Sequence, residues 1–276
     1  MLPALLDAKL NPHPDPLPKG EGVRSGVLLV GHGTRSELGR RQCQALAAEI
    51  AAGLEPQSYV TELAYLELAS PTIEESIVRL VKRQIQRLVV APLLLFAAGH
   101  AKEDIPAAVR SALAVAGRPD LPMVQTRPLG LQEPVIELAA ARFRVAADPR
   151  IVSAETCLLL IGRGSRDAEA TAEMRQLGAI LHQRLGIGGL HVGFMAMAQP
   201  AARAMILAAA VSPFRQIVVQ PHLLFHGELL DRLEENVSAA ATTALEKTWR
   251  TSRILGEKPG SLSRILLPAI LAAGNR

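Results

Sequence analysis

The sequence predicts an α/β protein made of two tandem, similar domains, each with a four-stranded parallel sheet flanked by helices. Short apolar runs, typical of strands buried on both faces, alternate with stretches of helical periodicity. The same order of motifs then occurs twice along the 276 residues. A chain of this length, with 49% hydrophobic and 20% charged residues, can bury two sizeable cores.

Four strand–helix units are predicted in the first half. The predicted strands cover residues 27–30, 58–66, 87–96 and 122–126. The predicted helices cover residues 38–52, 72–86, a stretch that starts near 104, and 134–145. Thr72 and Glu75 have the spacing of a capping box, and Asp104 followed by Pro106 marks the start of the next helix. Four such units in a row indicate a doubly wound parallel sheet.

An internal duplication accounts for the second half. The segment GHGTR at 31–35 returns as GRGSR at 162–166, which is 131 residues later. Two further pairs match in the same order at an offset of 129 residues: AYLELASP with GFMAMAQP, and RLVVAPLLLF with QIVVQPHLLF. Three matches at a nearly constant offset indicate two copies of one domain rather than a solenoid.

The chain therefore divides into three segments. Residues 1–22 contain a run of alternating prolines, NPHPDPLPKGEG, and are predicted to be a disordered leader. Residues 23–148 form the first domain, which we expect to be catalytic. Residues 149–276 form a degenerate second copy, and the boundary is expected in the polar stretch 147–155.

Composition excludes several classes of protein. The net charge of +4 and the pI near 9.4 weakly favour an anionic ligand, but no basic run accompanies them, so no nucleic-acid partner is expected. No apolar run reaches the ~20 residues of a membrane span, and no secretory signal is recognisable. Cys43 and Cys157 are expected to be buried and reduced. A cytoplasmic protein without membrane contact is predicted.

Three side chains that can handle metals or protons follow three strands of the first half. His32 follows the first strand, Glu67 the second and His100 the third. Because ligands bind at the carboxyl ends of parallel strands, we expect these side chains to share one site. The second copy has Arg163 and Ala196 in place of the first two and lacks the third, while the glycines and prolines persist. One working site, in the N-terminal half, is therefore predicted.

The segments VLLVGHGTR, YLELASPTI and APLLLFAAGHAKEDIP resemble the sirohydrochlorin chelatases, the class II chelatases that insert cobalt or iron into sirohydrochlorin. The two-copy chain resembles the long form of that family from Gly26 to the C-terminus. The resemblance implies a chelatase-like, flavodoxin-like doubly wound fold and a place in cobalamin or sirohaem biosynthesis. It also implies that His32 and His100 face the metal or accept pyrrole protons, and that Glu67 assists.

The resemblance further implies ligands and partners. The metal is a substrate, Co²⁺ or Fe²⁺ with Ni²⁺ as a further candidate, and no tightly bound cofactor is expected. Because the tetrapyrrole carries several carboxylates, cationic and polar residues on the strand-end loops are expected to bind it. These candidates are Thr34, Arg35, Lys102, Arg127, Arg163, Arg166 and His226. A monomer is expected, because the fused copies can build a cleft within one chain.

Two other functions remain open from the sequence. A non-catalytic carrier of metal or tetrapyrrole would use the same histidines. GHGTR is also similar to the motif of the histidine phosphatases, although those enzymes have arginine where Gly31 stands here. The methionines Met195, Met197 and Met205 are expected in the core.

Overall fold

The computed structural model describes residues 24–97 and 99–275, apart from the side chains of residues 100 and 101. The predicted leader 1–22 lies outside these residues. The strands are β1 (Ser25–Gly31), β2 (Tyr59–Tyr65), β3 (Arg87–Pro92), β4 (Met123–Gln125), β5 (Thr156–Gly162), β6 (Gly189–Phe194), β7 (Gln216–His222) and β8 (Thr248–Thr251). The helices are α1 (Glu37–Leu54), α2 (Ile73–Lys82), α3 (Ile105–Val115), α4 (Glu133–Ala146), α5 (Ala168–Leu185), α6 (Ala202–Ala210), α7 (Glu228–Thr243) and α8 (Ser263–Gly274).

The strands form two four-stranded sheets of identical topology. The strand order is β2-β1-β3-β4 in the first sheet and β6-β5-β7-β8 in the second, and every neighbouring pair is parallel. In each sheet the first strand of the chain, β1 or β5, lies second, with one later strand on one side and two on the other. The predicted fold class, two similar α/β units with four parallel strands each, is confirmed.

The central strands are buried on both faces, which explains their continuous apolar sequences. In β1, Leu28 and Val30 belong to a core with α2 and α3, whereas Val27 and Leu29 face the middle of the molecule. Strand β5 alternates in the same way between an outer core with α6 and α7 and the middle of the molecule. One central core, with residues of α1, α4, α5 and α8, thus joins the two halves.

The last helix of each half packs on the sheet of the other half. Helix α4 contacts β7 and α5 in the second half, while α8 contacts β3, β4 and α1 in the first. Polar contacts fix both exchanges: Gln220 in β7 donates to the carbonyl of Ala139 in α4 (3.0 Å), and the carboxylate of Glu49 in α1 accepts from the hydroxyl of Ser263 in α8 (2.8 Å). Each sheet is therefore covered on its inner face in part by the last helix of the other half.

Strands β2 and β4 are one residue shorter at each end than the sequence predicts, whereas β3 and α2 each end four residues early. Strand β3 ends at Pro92 rather than at 96, because the chain leaves the sheet where the amide of Leu93 makes its last bond to Val30 (2.8 Å). Helix α2 begins with the predicted capping box of Thr72 and Glu75 but ends at Lys82, and Gln84 then takes a left-handed conformation (φ 58°). None of the helices within residues 24–97 and 99–275 combines the length and the hydropathy that a membrane-spanning segment requires.

Candidate functional site

A cavity of about 980 Å³ lies between the carboxyl ends of the two sheets. The loops that follow β1 and β3 wall it on one side, and the loops that follow β5 and β7 wall it on the other. Ligands of doubly wound proteins bind at this edge of the sheet, and the volume lies at the upper end of the range for small-molecule sites. The cavity is the candidate functional site.

His32 and Glu67 meet at this edge as the sequence predicts. The Nε2 atom of His32 lies 2.9 Å from a carboxylate oxygen of Glu67, and the side chains are 20% and 50% exposed. This distance allows a hydrogen bond that fixes the orientation of the imidazole. Both groups are also ligands for divalent transition metals. His32 belongs to the cavity lining and Glu67 lies behind it, so the pair can hold a cation or a proton beside the cavity.

The backbone between these two residues requires glycine. Gly33 has φ 101°, and a Cβ atom there would lie 1.8 Å from the carbonyl oxygen of Glu67. The amide of Glu67 donates to the carbonyl of His32 (3.1 Å), so the loops after β1 and β2 are joined directly. The second half repeats this arrangement, with Gly164 at φ 92° below Ala196. The scaffold is therefore duplicated, but the acid–base pair is not.

His100 lies in a five-residue π-helical turn, His100–Asp104, that leads into α3. Turns of this kind are frequent at functional sites. The imidazole of His100 belongs to the side chains that the structure does not describe, so its part in the site stays a prediction. Among the described side chains, no three metal-ligating groups come together.

Three of the predicted cations line the cavity. Arg35 belongs to the first half, and Arg163 and Arg166 belong to the second. All three are exposed, and none of their guanidinium groups makes an ion pair with a described residue. They are therefore available to bind the carboxylates of a ligand bidentately.

Two other predicted cations lie elsewhere. The ammonium group of Lys102 contacts the carboxylates of Asp167 (3.0 Å) and Glu169 (2.7 Å) in the second half, and these bonds raise its pKa to about 12. Arg127 is exposed after β4 and does not belong to the cavity lining. The structure thus gives Lys102 a contact between the halves and leaves Arg127 outside the cavity, so a ligand contact of either residue stays a prediction.

Thr34 and His226 line the cavity, and both also make hydrogen bonds that shape its wall. The hydroxyl of Thr34 accepts from the amide of Ser36 (3.1 Å), and Ser36 caps α1. The ring of His226 bridges the halves, with Nδ1 3.0 Å from the Ser36 hydroxyl and Nε2 3.2 Å from a carboxylate oxygen of Asp231. No sequence pattern indicates the bridging contact, because Ser36 and His226 lie 190 positions apart.

Two neutral groups lie deeper in the cavity wall. Burial raises the pKa of the Cys43 thiol to about 12, so the free thiol is uncharged at neutral pH. His222 at the end of β7 is 1% exposed, and burial lowers its pKa to about 4. Its ring lies 5.6 Å from the ring of Phe96, and neither nitrogen has a hydrogen-bond partner among the described residues. This part of the wall is apolar and uncharged.

Comparison with known proteins identifies the family. The model of the CbiX family matches residues 26–146 and again residues 157–270. The chain belongs to the CbiX family. The resemblance to the sirohydrochlorin chelatases that the motifs indicate is thereby confirmed.

Several relatives of this CbiX-family protein have named activities. It is 27% identical over 228 residues to the sirohydrochlorin ferrochelatase of Priestia megaterium, which covers 83% of this chain and 84% of the relative. It is 29% identical over 221 residues to the sirohydrochlorin cobaltochelatase of the same organism, over 79% and 70% of the two chains. The structure of SirB from Bacillus subtilis with Fe³⁺ superposes with a TM-score of 0.78 at 25% identity, covering 91% of this chain and 96% of SirB.

Two apolar residues of this CbiX-family protein, Leu68 and Met197, line the cavity although no sequence motif indicates it. Met197, predicted in the core, is 51% exposed and lines the cavity together with Leu68, which is 53% exposed. The prediction for Met197 is wrong because a left-handed backbone turns its side chain outward. The available signal was position, since both residues directly follow the Glu67 position of their repeat.

Proposed function

We propose that this protein inserts Co²⁺ or Fe²⁺ into sirohydrochlorin. The observation that carries the proposal is the His32–Glu67 pair, 2.9 Å apart, beside a cavity that His32 lines. The cavity volume of about 980 Å³ suits a ligand of the size of a tetrapyrrole. The named activities of the relatives, one with iron and one with cobalt, support the same reaction.

Metal insertion exchanges one divalent cation for two pyrrole protons. Imidazole and carboxylate suit both tasks, because they bind Co²⁺ and Fe²⁺ and accept protons near neutral pH. In the proposed reaction His32, Glu67 and His100 hold the divalent cation and release it to the pyrrole nitrogens. The two pyrrole protons that the cation replaces then pass to the released imidazole and carboxylate groups and from there to water. Two imidazoles and one carboxylate leave coordination positions open for pyrrole nitrogens.

The arginines account for recognition of the tetrapyrrole. Arg35, Arg163 and Arg166 offer guanidinium groups from both halves, and the ligand's carboxylates need such partners. The second half, which lacks the acid–base pair, thus contributes to binding rather than to proton transfer. This division fits residues 23–148 as the catalytic domain and residues 149–276 as its degenerate copy.

The proposal extends to the setting of the reaction. The metal is the substrate, with Ni²⁺ as a further candidate, and no tightly bound cofactor takes part. Since both walls of the cavity come from one chain, a monomer suffices. The protein works in the cytoplasm without a nucleic-acid or membrane partner.

The test follows the visible spectrum of sirohydrochlorin with Co²⁺ or Fe²⁺ at substoichiometric protein. The wild type is expected to accelerate metal insertion over many turnovers, whereas a carrier would stop after one equivalent. His32→Ala and His100→Ala are expected to lower the rate by ~10²-fold or more, the scale of a positioned acid–base group. His182→Ala, the same change on α5, is the control. Near-normal rates in the first two variants would overturn the site assignment.

A further inference from the structure

Leu68 and Met197 share an unusual set of properties. Each side chain is about half exposed, at 53% and 51%, and each lines the cavity. Each residue has a positive φ, 62° for Leu68 and 58° for Met197. They are equivalent positions of the internal repeat, 129 residues apart. Each half of the molecule thus presents one large apolar side chain to the cavity from a left-handed backbone.

Folding alone does not favour these residues. A left-handed conformation is unfavourable for a bulky residue, and glycine or asparagine normally occupies it. Met197 is also the centre of a tight three-residue turn, closed by a hydrogen bond from the amide of Ala198 to the carbonyl of Ala196 (2.7 Å). Exposure removes much of the gain that burial of the side chain would give. Backbone strain of this kind concentrates at functional sites.

The repeat separates this feature from the acid–base chemistry. The second half has Arg163 and Ala196 where the first has His32 and Glu67. It nevertheless keeps a large apolar residue with the same backbone conformation at Met197. The property that both halves retain is therefore an apolar contact with whatever fills the space between them.

Leu68 lies directly beside the acid–base pair. It follows Glu67 in the chain, and its Cβ atom is 3.6 Å from the position that a Cβ at Gly33 would take. An apolar side chain here can cover a flat conjugated ring and keep water from the reacting atoms. The polarizable thioether of Met197 suits contact with the same kind of surface.

We infer that Leu68 and Met197 are substrate-positioning residues that contact the tetrapyrrole ring from the two halves of the cleft. This inference rests on the proposed function, since it assigns the ligand of the same cavity. The arginines would then hold the carboxylates at the periphery, and the apolar pair would set the position of the ring.

Glycine substitutions test the pair without straining the fold. Leu68→Gly and Met197→Gly remove the side chain, and glycine adopts a positive φ readily. The control is Gln84→Gly, at an exposed residue with φ 58° that does not line the cavity. All three variants are expected to melt at or above the wild-type temperature. Only the first two are expected to raise the KM for sirohydrochlorin, by roughly tenfold each, with the KM for Co²⁺ unchanged.

The outcomes separate this inference from the proposed function. A wild-type KM for sirohydrochlorin in both glycine variants would overturn the inference. A large fall in the melting temperature of Leu68→Gly would also overturn the inference if Leu68→Asn showed the same fall, because asparagine tolerates this backbone conformation as well. If the wild type inserts no metal, the proposed function fails. Equilibrium binding of metal-free sirohydrochlorin, compared between wild type and variants, then still decides whether the pair contacts the ring.

Discussion

The exchange of the last helices predicts that a substitution near the C-terminus weakens the sheet at the N-terminus. Ile270 is fully buried in α8, which packs on β3, β4 and α1. Replacing a buried isoleucine with alanine removes its burial and leaves a cavity, at a cost of about 3 kcal/mol. For a chain of this size, that cost lowers the melting temperature by roughly 6–12 °C. Ile270→Ala is expected to show this loss.

The location of the loss is the sharper part of this prediction. Hydrogen exchange of backbone amides should show Ile270→Ala reducing protection in β1 and β3 more than in β5 and β7. Ile136→Ala, the same chemical change in α4, is the matched control, because α4 packs on β7. It should reduce protection mainly in the second sheet. If Ile270→Ala instead loosens β5 and β7 and spares β1 and β3, the assignment of α8 to the first sheet is refuted.

Three further predictions concern the cavity. In Gly33→Ala the new Cβ would lie 1.8 Å from the Glu67 carbonyl oxygen, so the rate of metal insertion should fall by ~10²-fold. Gly164→Ala has the same kind of clash in the second half; it should lower the melting temperature but retain more of the insertion rate, and equal rate losses would contradict this. Burial lowers the pKa of His222 to about 4, so as the pH drops this imidazole is protonated in the unfolded chain before it is protonated in the folded one. The free energy of unfolding should therefore fall by about 3 kcal/mol between pH ~6.5 and ~4. In urea titrations His222→Phe should remove that part of the pH dependence, and an unchanged pH profile would count against it. Arg163→Ala should raise the KM for sirohydrochlorin most at low salt, and a KM difference independent of salt would exclude this electrostatic role.

Much of the fold is predictable because local signals agree with the final packing. The apolar run Val27–Val30 is a strand buried on both faces, and the capping box at Thr72 begins α2. The exchanged helices are not predictable in this way. Hydrophobic periodicity shows that a helix such as α8 has an apolar face, but not which sheet covers that face.

The candidate site, like the fold, is only partly predictable from the sequence. The contact between His32 and Glu67 follows from strand order, since these residues come one and two positions after the ends of two neighbouring parallel strands. The ion pairs of Lys102 and the exposure of Met197 do not follow from it. The first depends on acids of the other half, and the second depends on the sign of one φ angle, which an apolar residue type does not reveal.

The shared helices also limit how the protein can move. A hinge between the halves would have to pull α4 away from β7 and α8 away from β3, which would expose apolar surface of the central core. Such opening is costly, so the proposed tetrapyrrole would enter and leave through rearrangement of side chains and loops at the rim of the cavity. The distance between the two halves would then stay fixed during turnover, and only the rim of the cleft would adjust to the ligand.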